Sequence, residues 1–294
     1  MAVYKRTYKG YEGAQTPEWS RFLILPRYAW ESLFKQRFLL IFYVICFFYP
    51  IGAGIFLYIN ANLGMLASLI EAAGKFNGLE IDGKFFYIFH SVQSSLAFIL
   101  TAFIGPGLVS PDLSNNALPL YFCRPFSRSE YVAGKLGVVA FLLSFITWIP
   151  GLLLFLLQWS VGPEGWFAKY SWIAPAIFLS SVMWILLISL LALALSAWVR
   201  WKVVAGALLL LVFFLSTGLA AAINAVMRTD KGSWLDITSN SGRIALELFR
   251  VREFMDYSEG QGISIEEAWT AQFLALGFCL WLLWKKIRAY EVIK

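Results

Sequence analysis

The chain has one histidine, three cysteines and few charges: of 294 residues, 14% are Asp, Glu, Lys or Arg, against about 25% in an ordinary soluble domain. Each scarcity excludes something. One His and three Cys are too few soft ligands for a structural zinc cluster. So few charges cannot cover the surface of a soluble domain this apolar. Gly-x-x-x-x-Gly-Lys-Ser/Thr is absent, so the chain does not hold a P-loop nucleotide. His-Glu-x-x-His and Gly-x-Ser-x-Gly are absent too. The first 37 residues carry seven basic and three acidic residues and no compact apolar run before a small-residue cleavage site, so no cleavable signal peptide is expected.

What is present is apolar mass. Sixty per cent of the residues are hydrophobic, 18% are aromatic, and the mean hydropathy is +0.68. That excludes a disordered chain and makes an integral membrane protein the expectation. A helix needs roughly 20 consecutive apolar residues to cross a bilayer core. Six stretches meet or approach this: about Phe38 to Tyr58, Phe85 to Val109, Tyr131 to Gln158, Trp172 to Trp198, Val203 to Met227, and the shorter Ala268 to Trp284. Alternating ten-residue patterns are missing, which excludes a β-barrel. The fold class is therefore an all-α membrane protein with six transmembrane helices. It forms one domain over 1–294: an N-terminal segment to residue 37, a bundle over 38–284, and a tail over 285–294.

Helix punctuation agrees. Thr16-Pro17 pairs an N-cap with a first-turn proline. Ser127 with Glu130, and Ser264 with Glu267, are spaced as capping boxes opening the third and sixth spans. Pro50 and Pro150 lie inside apolar runs, where a kink is tolerable if neighbours satisfy the freed carbonyls. Residues Pro17 to Gln36 interleave Trp19, Phe22, Tyr28, Trp30 and Phe34 with Arg21, Arg27, Glu31 and Lys35. This reads as an interfacial amphipathic helix broken near Pro26, or as an extension of the first span.

Charge sets an orientation. With both termini on one side, that side holds 16 basic and 6 acidic residues, and the other holds 8 basic and 12 acidic. The basic side is expected to be cytoplasmic. The positive balance then reports topology and gives no reason to invoke nucleic acid. Cys46 and Cys279 fall in spans and Cys123 on the cytoplasmic side, so no disulfide is expected.

Two connections and one span stand out. The semi-polar segment Gly105 to Lys135 follows the second span and is expected to hold a short helix near Ser114 to Phe122. It is either a docking loop or a plain connection. Gly242 to Tyr257, between spans five and six, reads as an external amphipathic helix, either a structural cap or a gate. In the second span, His90 is accompanied by Gln93 and Ser94. Polar groups at membrane depth are pathway candidates, although small hydroxyls also hold helices together. The spans carry almost no Asp, Glu, Lys or Arg, which argues against an ion-coupled carrier.

The loop carries a resemblance. Ser110-Pro111-Asp112, then Arg124-Pro125-Phe126-Ser127-Arg128, then Gly134-Lys135 are similar to the pattern joining spans two and three in type-2 permease subunits of ABC transporters. That family commonly has Glu where Asp112 stands and more charge where Asn115 and Asn116 stand. The resemblance implies a coupling helix seated in a separate ATPase, through Asp112, Asn115, Asn116, Leu118, Tyr121, Arg124, Pro125, Arg128 and Lys135. It further implies a second permease chain, identical or homologous, and an export pathway formed by the pair, in a cell membrane such as a bacterial inner membrane. No cofactor is expected in this chain; ATP and Mg belong to the partner ATPase. The alternatives are a non-transporting membrane anchor for a soluble partner and a lipid enzyme. The latter is disfavoured because no acid, base and nucleophile cluster together, with Asp230, Asp236 and Arg243 as the residues to substitute.

Overall fold

The computed structural model describes residues 20, 23–69, 80–122, 127–251 and 263–288. Every regular element among them is helical. Six helical stretches are long and apolar enough to cross a membrane: Arg37–Asn62, Gly83–Ser114, Arg128–Val161, Trp166–Trp198, Lys202–Met227 and Ile265–Ile287. One end of the bundle gathers Arg37, Arg128, Lys135, Arg200, Lys202, Lys285 and Lys286. It is called the basic end below.

A first helix, α1 (Ile24–Phe34), precedes the bundle. Pro26 does not break it, because it falls in the first turn, where a missing N–H costs nothing. The helix leans on the third span: Trp30 stacks on Phe141 at 4.2 Å and its Nε1 donates to the Val138 carbonyl at 3.3 Å. The sequence's Pro17 start and Thr16 cap lie outside the described residues.

The first span is α2 (Arg37–Leu69), with Pro50 inside it. The second is α3 (Gly83–Ile104) followed by α4 (Pro106–Ser114). Here the helical stretch runs on to Ser114, past Val109 where the sequence reading ended the span and into the segment from Gly105 that it read as a connection. The Gly-Pro-Ser-Pro-Asp composition of 105–112 suggests a loop, yet the segment is helical and packs on the fourth span. A Cβ at Gly105 would sit 2.6 Å from the Ala192 Cβ, so glycine is needed for the approach. Pro111 has no N–H to give to the turn before it, and the hydroxyl of Ser196 reaches the backbone of that turn. Ser110 N donates to Ser196 Oγ (2.9 Å), and Ser196 Oγ donates to the Pro106 carbonyl (3.0 Å). Ser110 Oγ in turn donates to the Val199 carbonyl at 2.7 Å. A side chain of α9 thus bridges both ends of one rung of α4, accepting from Ser110 N and donating to the Pro106 carbonyl.

A turn through Asn116, at φ 51°, leads to α5 (Leu118–Phe122). Asn tolerates the left-handed region better than most residues. The third span is α6 (Arg128–Ile146) and α7 (Trp148–Val161). Both hydrogen bonds of the Ser127–Glu130 capping box are present, at 3.2 and 2.6 Å. The break falls at Thr147 rather than at Pro150. Pro150 occupies the first turn of α7 and excludes a helical carbonyl four residues back, so the chain parts before it.

The fourth span joins α8 (Trp166–Tyr170) to α9 (Ile173–Trp198). α9 is the axis of the molecule and packs against α3, α4, α6, α7, α10, α11 and α12. Its Ser and Ala residues permit such close packing on many sides. The fifth span is α10 (Lys202–Met227). A 3₁₀ helix (Lys231–Leu235) then leads to α11 (Ile237–Leu248), capped by the Asp236 carboxylate. The amphipathic helix thus starts earlier than Gly242, and α11 closes at Leu248; Arg250 turns left-handed at φ 54°, and the remainder of the segment read as Gly242 to Tyr257, from residue 252 on, lies outside the described residues. The sixth span is α12 (Ile265–Arg288), opened by the Ser264–Glu267 capping box at 3.2 and 2.7 Å.

Candidate functional site

Two polar regions stand out, one at the basic end and one inside the bundle. At the basic end, the last turn of α4 meets the first two turns of α6. Asp112 Oδ2 accepts a hydrogen bond from the Tyr131 hydroxyl (2.7 Å) and pairs with Lys135 Nζ (2.8 Å). The two charged side chains are only 16% and 10% exposed. Lys135 also lies over the Tyr131 ring at 5.5 Å. Tyr131 is fully buried, and the rings of Tyr121 and Phe122 from α5 pack on it at 5.7 and 6.2 Å. Burial raises the Tyr121 hydroxyl above its ordinary pKa, and the Asp112 charge adds to this. Nearby, Gly107 places its backbone against the Lys202 side chain.

The residues picked from the loop pattern therefore divide into an inner and an outer set. Asp112 and Lys135 bond to each other inside the corner. Leu118 is buried and anchors α5, and Tyr121 is half-buried against Tyr131. Asn115 and Asn116 are exposed at the turn. Arg128 is half-buried in the first turn of α6. Arg124 and Pro125 lie outside the described residues. Leu120 was not singled out from the sequence, yet it is 71% exposed at the tip of the corner. Its signal was available: an apolar side chain two residues from the anchor Leu118 on a short helix.

The second region is a cavity of about 580 Å³ between α3, α9, α10, α11 and α12. Its depth is formed by His90, Ser94, Ser180, Met183, Trp184 and Gln272. Ser91, Ser95 and Ile99 of α3, with Phe214 and Thr217 of α10, are exposed along its mouth. His90 Nε2 lies 3.3 Å from Ser94 Oγ and Nδ1 lies 3.3 Å from Ser181 Oγ. Both ring nitrogens are thus held by hydroxyls. Trp184 Nε1 donates to the Ser94 carbonyl at 3.0 Å and fixes the rear wall.

Of the three α3 residues picked as pathway candidates, His90 and Ser94 line this cavity and Gln93 does not. Successive helix residues are rotated by about 100°, and Gln93 is turned onto α2, where Nε2 donates to the Cys46 carbonyl at 3.3 Å. The cavity polar groups on α10, α11 and α12 (Thr217, Thr238, Ser241 and Gln272) were missed, because isolated hydroxyls and one amide in distant helices share no spacing.

A third polar cluster lies at the end opposite the basic one. Glu80 accepts from Lys169 Nζ and from the Tyr170 hydroxyl, each at 2.7 Å. These hydrogen bonds, Lys169 first, hold the Glu80 carboxyl below its usual pKa. Among the described residues no group of three His, Cys, Asp or Glu is placed to hold a metal.

The fold defines a class: a multi-pass, all-helical, membrane-embedded protein. No protein-family model matches the chain, and no curated protein sequence matches it.

Proposed function

We propose that the chain is the membrane-spanning permease subunit of an ATP-binding-cassette exporter, working as a pair and driven by separate ATPase chains on the cytoplasmic side. The basic end faces the cytoplasm in this reading, as the distribution of Lys and Arg favours. The observation that carries it is the corner at Asp112. A short helix with one apolar residue standing out is seated, through Leu118 and Tyr121, on a buried ion pair between the second and third spans. Such a mount passes force from α5 directly into two spans and, through Ser110 and Ser196, into the central α9. α5 then acts as the coupling helix, with Leu120 entering a groove of the ATPase, and Asn115, Asn116, Arg124, Pro125 and Arg128 around it. Asp112 and Lys135 serve the mount rather than the contact. α1 lies along the cytoplasmic interface, and α11 covers the path on the outer side.

Exposed apolar faces on α2 and α10 support pairing as well as lipid contact. Phe48, Ile55, Phe214 and Leu215 are among the residues that stand out from them. The spans hold few ionisable groups, so pumping needs energy from another chain.

The test is a mild-detergent purification of the tagged chain from its native membrane. The expected result is a co-purifying chain with a P-loop motif in about equal amount, whose ATP turnover rises in the complex. Leu120→Glu should release that chain while leaving the permease folded. A chain that comes alone, under conditions that preserve a known transporter complex, overturns the reading and leaves a membrane anchor or enzyme.

A further inference from the structure

We propose that the cavity between α3, α9, α10, α11 and α12 is a binding site for an uncharged amphiphile that has an apolar body and one hydrogen-bonding group, recognised by the Gln272 amide. The inference deepens the transport reading, since the site lies where cargo would sit, and it rests on that reading for its purpose alone.

Size comes first. About 580 Å³ falls within the range of small-molecule sites. The walls come next. Phe98 and Phe213 stack at 4.0 Å where α3 and α10 meet, and Trp184 packs edge-on to Phe213. Beyond that contact the gap between α3 and α10 stays open at exposed Ser91, Ser95 and Thr217, and α11 covers its far end. No Asp, Glu, Lys or Arg lines the space among the described residues. A charged ligand would therefore surrender its hydration without a countercharge.

Gln272 supplies the polar recognition. It is 2% exposed and lines the cavity. Ser241 Oγ lies 3.1 Å from its amide oxygen and 2.9 Å from the Ile237 carbonyl. One hydroxyl proton serves only one of those acceptors. If it goes to Ile237, the amide turns and donates its NH₂ to Ser241; otherwise the amide oxygen accepts from Ser241. In either setting the other half of the amide has no partner among the described residues. That half is reached from the cavity, so a purely hydrocarbon occupant would cut it off from water unmet, whereas a hydroxyl or carbonyl would satisfy it.

Photolabelling tests this in phosphatidylcholine nanodiscs, without any ATPase. The probes are a diazirine-bearing octanol, the matching octanoate and the matching octane, mapped by mass spectrometry. The expected result is saturable labelling by the octanol at Met183 and Leu210, above that at lipid-facing Phe273, and little by the octanoate. Excess dioctanoylglycerol as competitor reports a ligand borne by the bilayer; hexanediol reports one arriving from water; competition by either supports the site.

Gly242→Leu should abolish the labelling. Gly242 lines the cavity and a Cβ there meets nothing within 4 Å, so there is room at the wall for a larger side chain to take up cavity space, and the substitution replaces a helix-interior glycine. Gln272→Leu is the second variant. It should lower octanol labelling about fivefold relative to octane, the equivalent of one hydrogen bond. Labelling that neither competitor reduces, equal labelling by the octanoate, or an unchanged octanol-to-octane ratio in Gln272→Leu overturns the proposal. Saturable labelling with no co-purifying ATPase would leave the site standing and remove only the transport reading.

Discussion

Asp112 and Lys135 form an ion pair beneath α5 at the basic end. In the cavity, His90, Ser94, Ser180 and Gln272 supply an imidazole, hydroxyls and an amide, and no Asp, Glu, Lys or Arg lines the space among the described residues. The contrast follows from what each place can supply. The corner offers a countercharge at 2.8 Å and a phenol at 2.7 Å, and it lies at the end of the spans. Among the described residues the cavity offers hydroxyls, an imidazole, an indole and one amide, deeper in the apolar bundle. A lone charge there would face several kcal/mol of desolvation with nothing to offset it. The charged corner therefore reads as a fixed joint, and the cavity, which has no such pair, is where the proposed exchangeable occupant would sit.

The largest test of this difference is to leave one charge of the corner alone. Lys135→Met strands the Asp112 carboxylate, and breaking a buried pair in this way costs about 3–5 kcal/mol. The thermal unfolding midpoint of the purified chain should fall steeply. Adding Asp112→Asn should recover most of the loss, because removing both charges is close to neutral. Equal destabilisation in the single and double variants would show that the pair is not one coupled unit. The joint at Ser196 ranks next. Ser196→Ala leaves Ser110 N and the Pro106 carbonyl without their bridge, at about 1–3 kcal/mol. An unchanged midpoint would mean that α4 closes the rung itself.

Gln93 marks the other side of the comparison. It is buried and polar, but its Oε1 has no partner among the described residues and its single bond, to Cys46, is long. Gln93→Leu should change stability by no more than about 1 kcal/mol, since it removes an unmet acceptor together with a weak donor. A large loss would instead show that this amide, like the Asp112 pair, holds two spans in place.

These residues also show how far the sequence could be read. The six spans and both capping boxes follow from local pattern, and local pattern is what their structure obeys. Ser127 finds Glu130 three residues on, whatever the rest of the chain does. The Asp112–Lys135 pair is different. Its partners are 23 positions apart, and their meeting depends on α4 being a helix. The Gly, Pro, Ser and Asn of that segment argue locally for a loop; packing against Ala192 and Ser196 overrides that preference. Likewise, the apolar-rich stretch around His90 says that polar groups are buried but not which face meets which neighbour. Gln93 and Ser94 are adjacent in sequence, yet only Ser94 reaches the cavity, and that rotation is set by α2 and α9.

The smallest effect belongs to Glu80, a charge placed in neither setting. It pairs with Lys169 at the surface, with both side chains about two-thirds exposed, so water and salt screen most of the attraction. Its folded-state pKa is lowered from the ordinary 4.5, chiefly by the hydrogen bonds from Lys169 and Tyr170. A depressed carboxyl pKa contributes stability that is fully present above the unfolded value and is lost as pH falls through the folded one. Glu80→Gln should therefore leave the unfolding midpoint nearly unchanged at neutral pH, and what difference exists should shrink below pH 4.5 and in high salt. A difference as large as that of Lys135→Met, or one that grows on acidification, would place Glu80 in a buried joint like the one at Asp112 and erase the distinction between screened and unscreened charge on which the comparison stands.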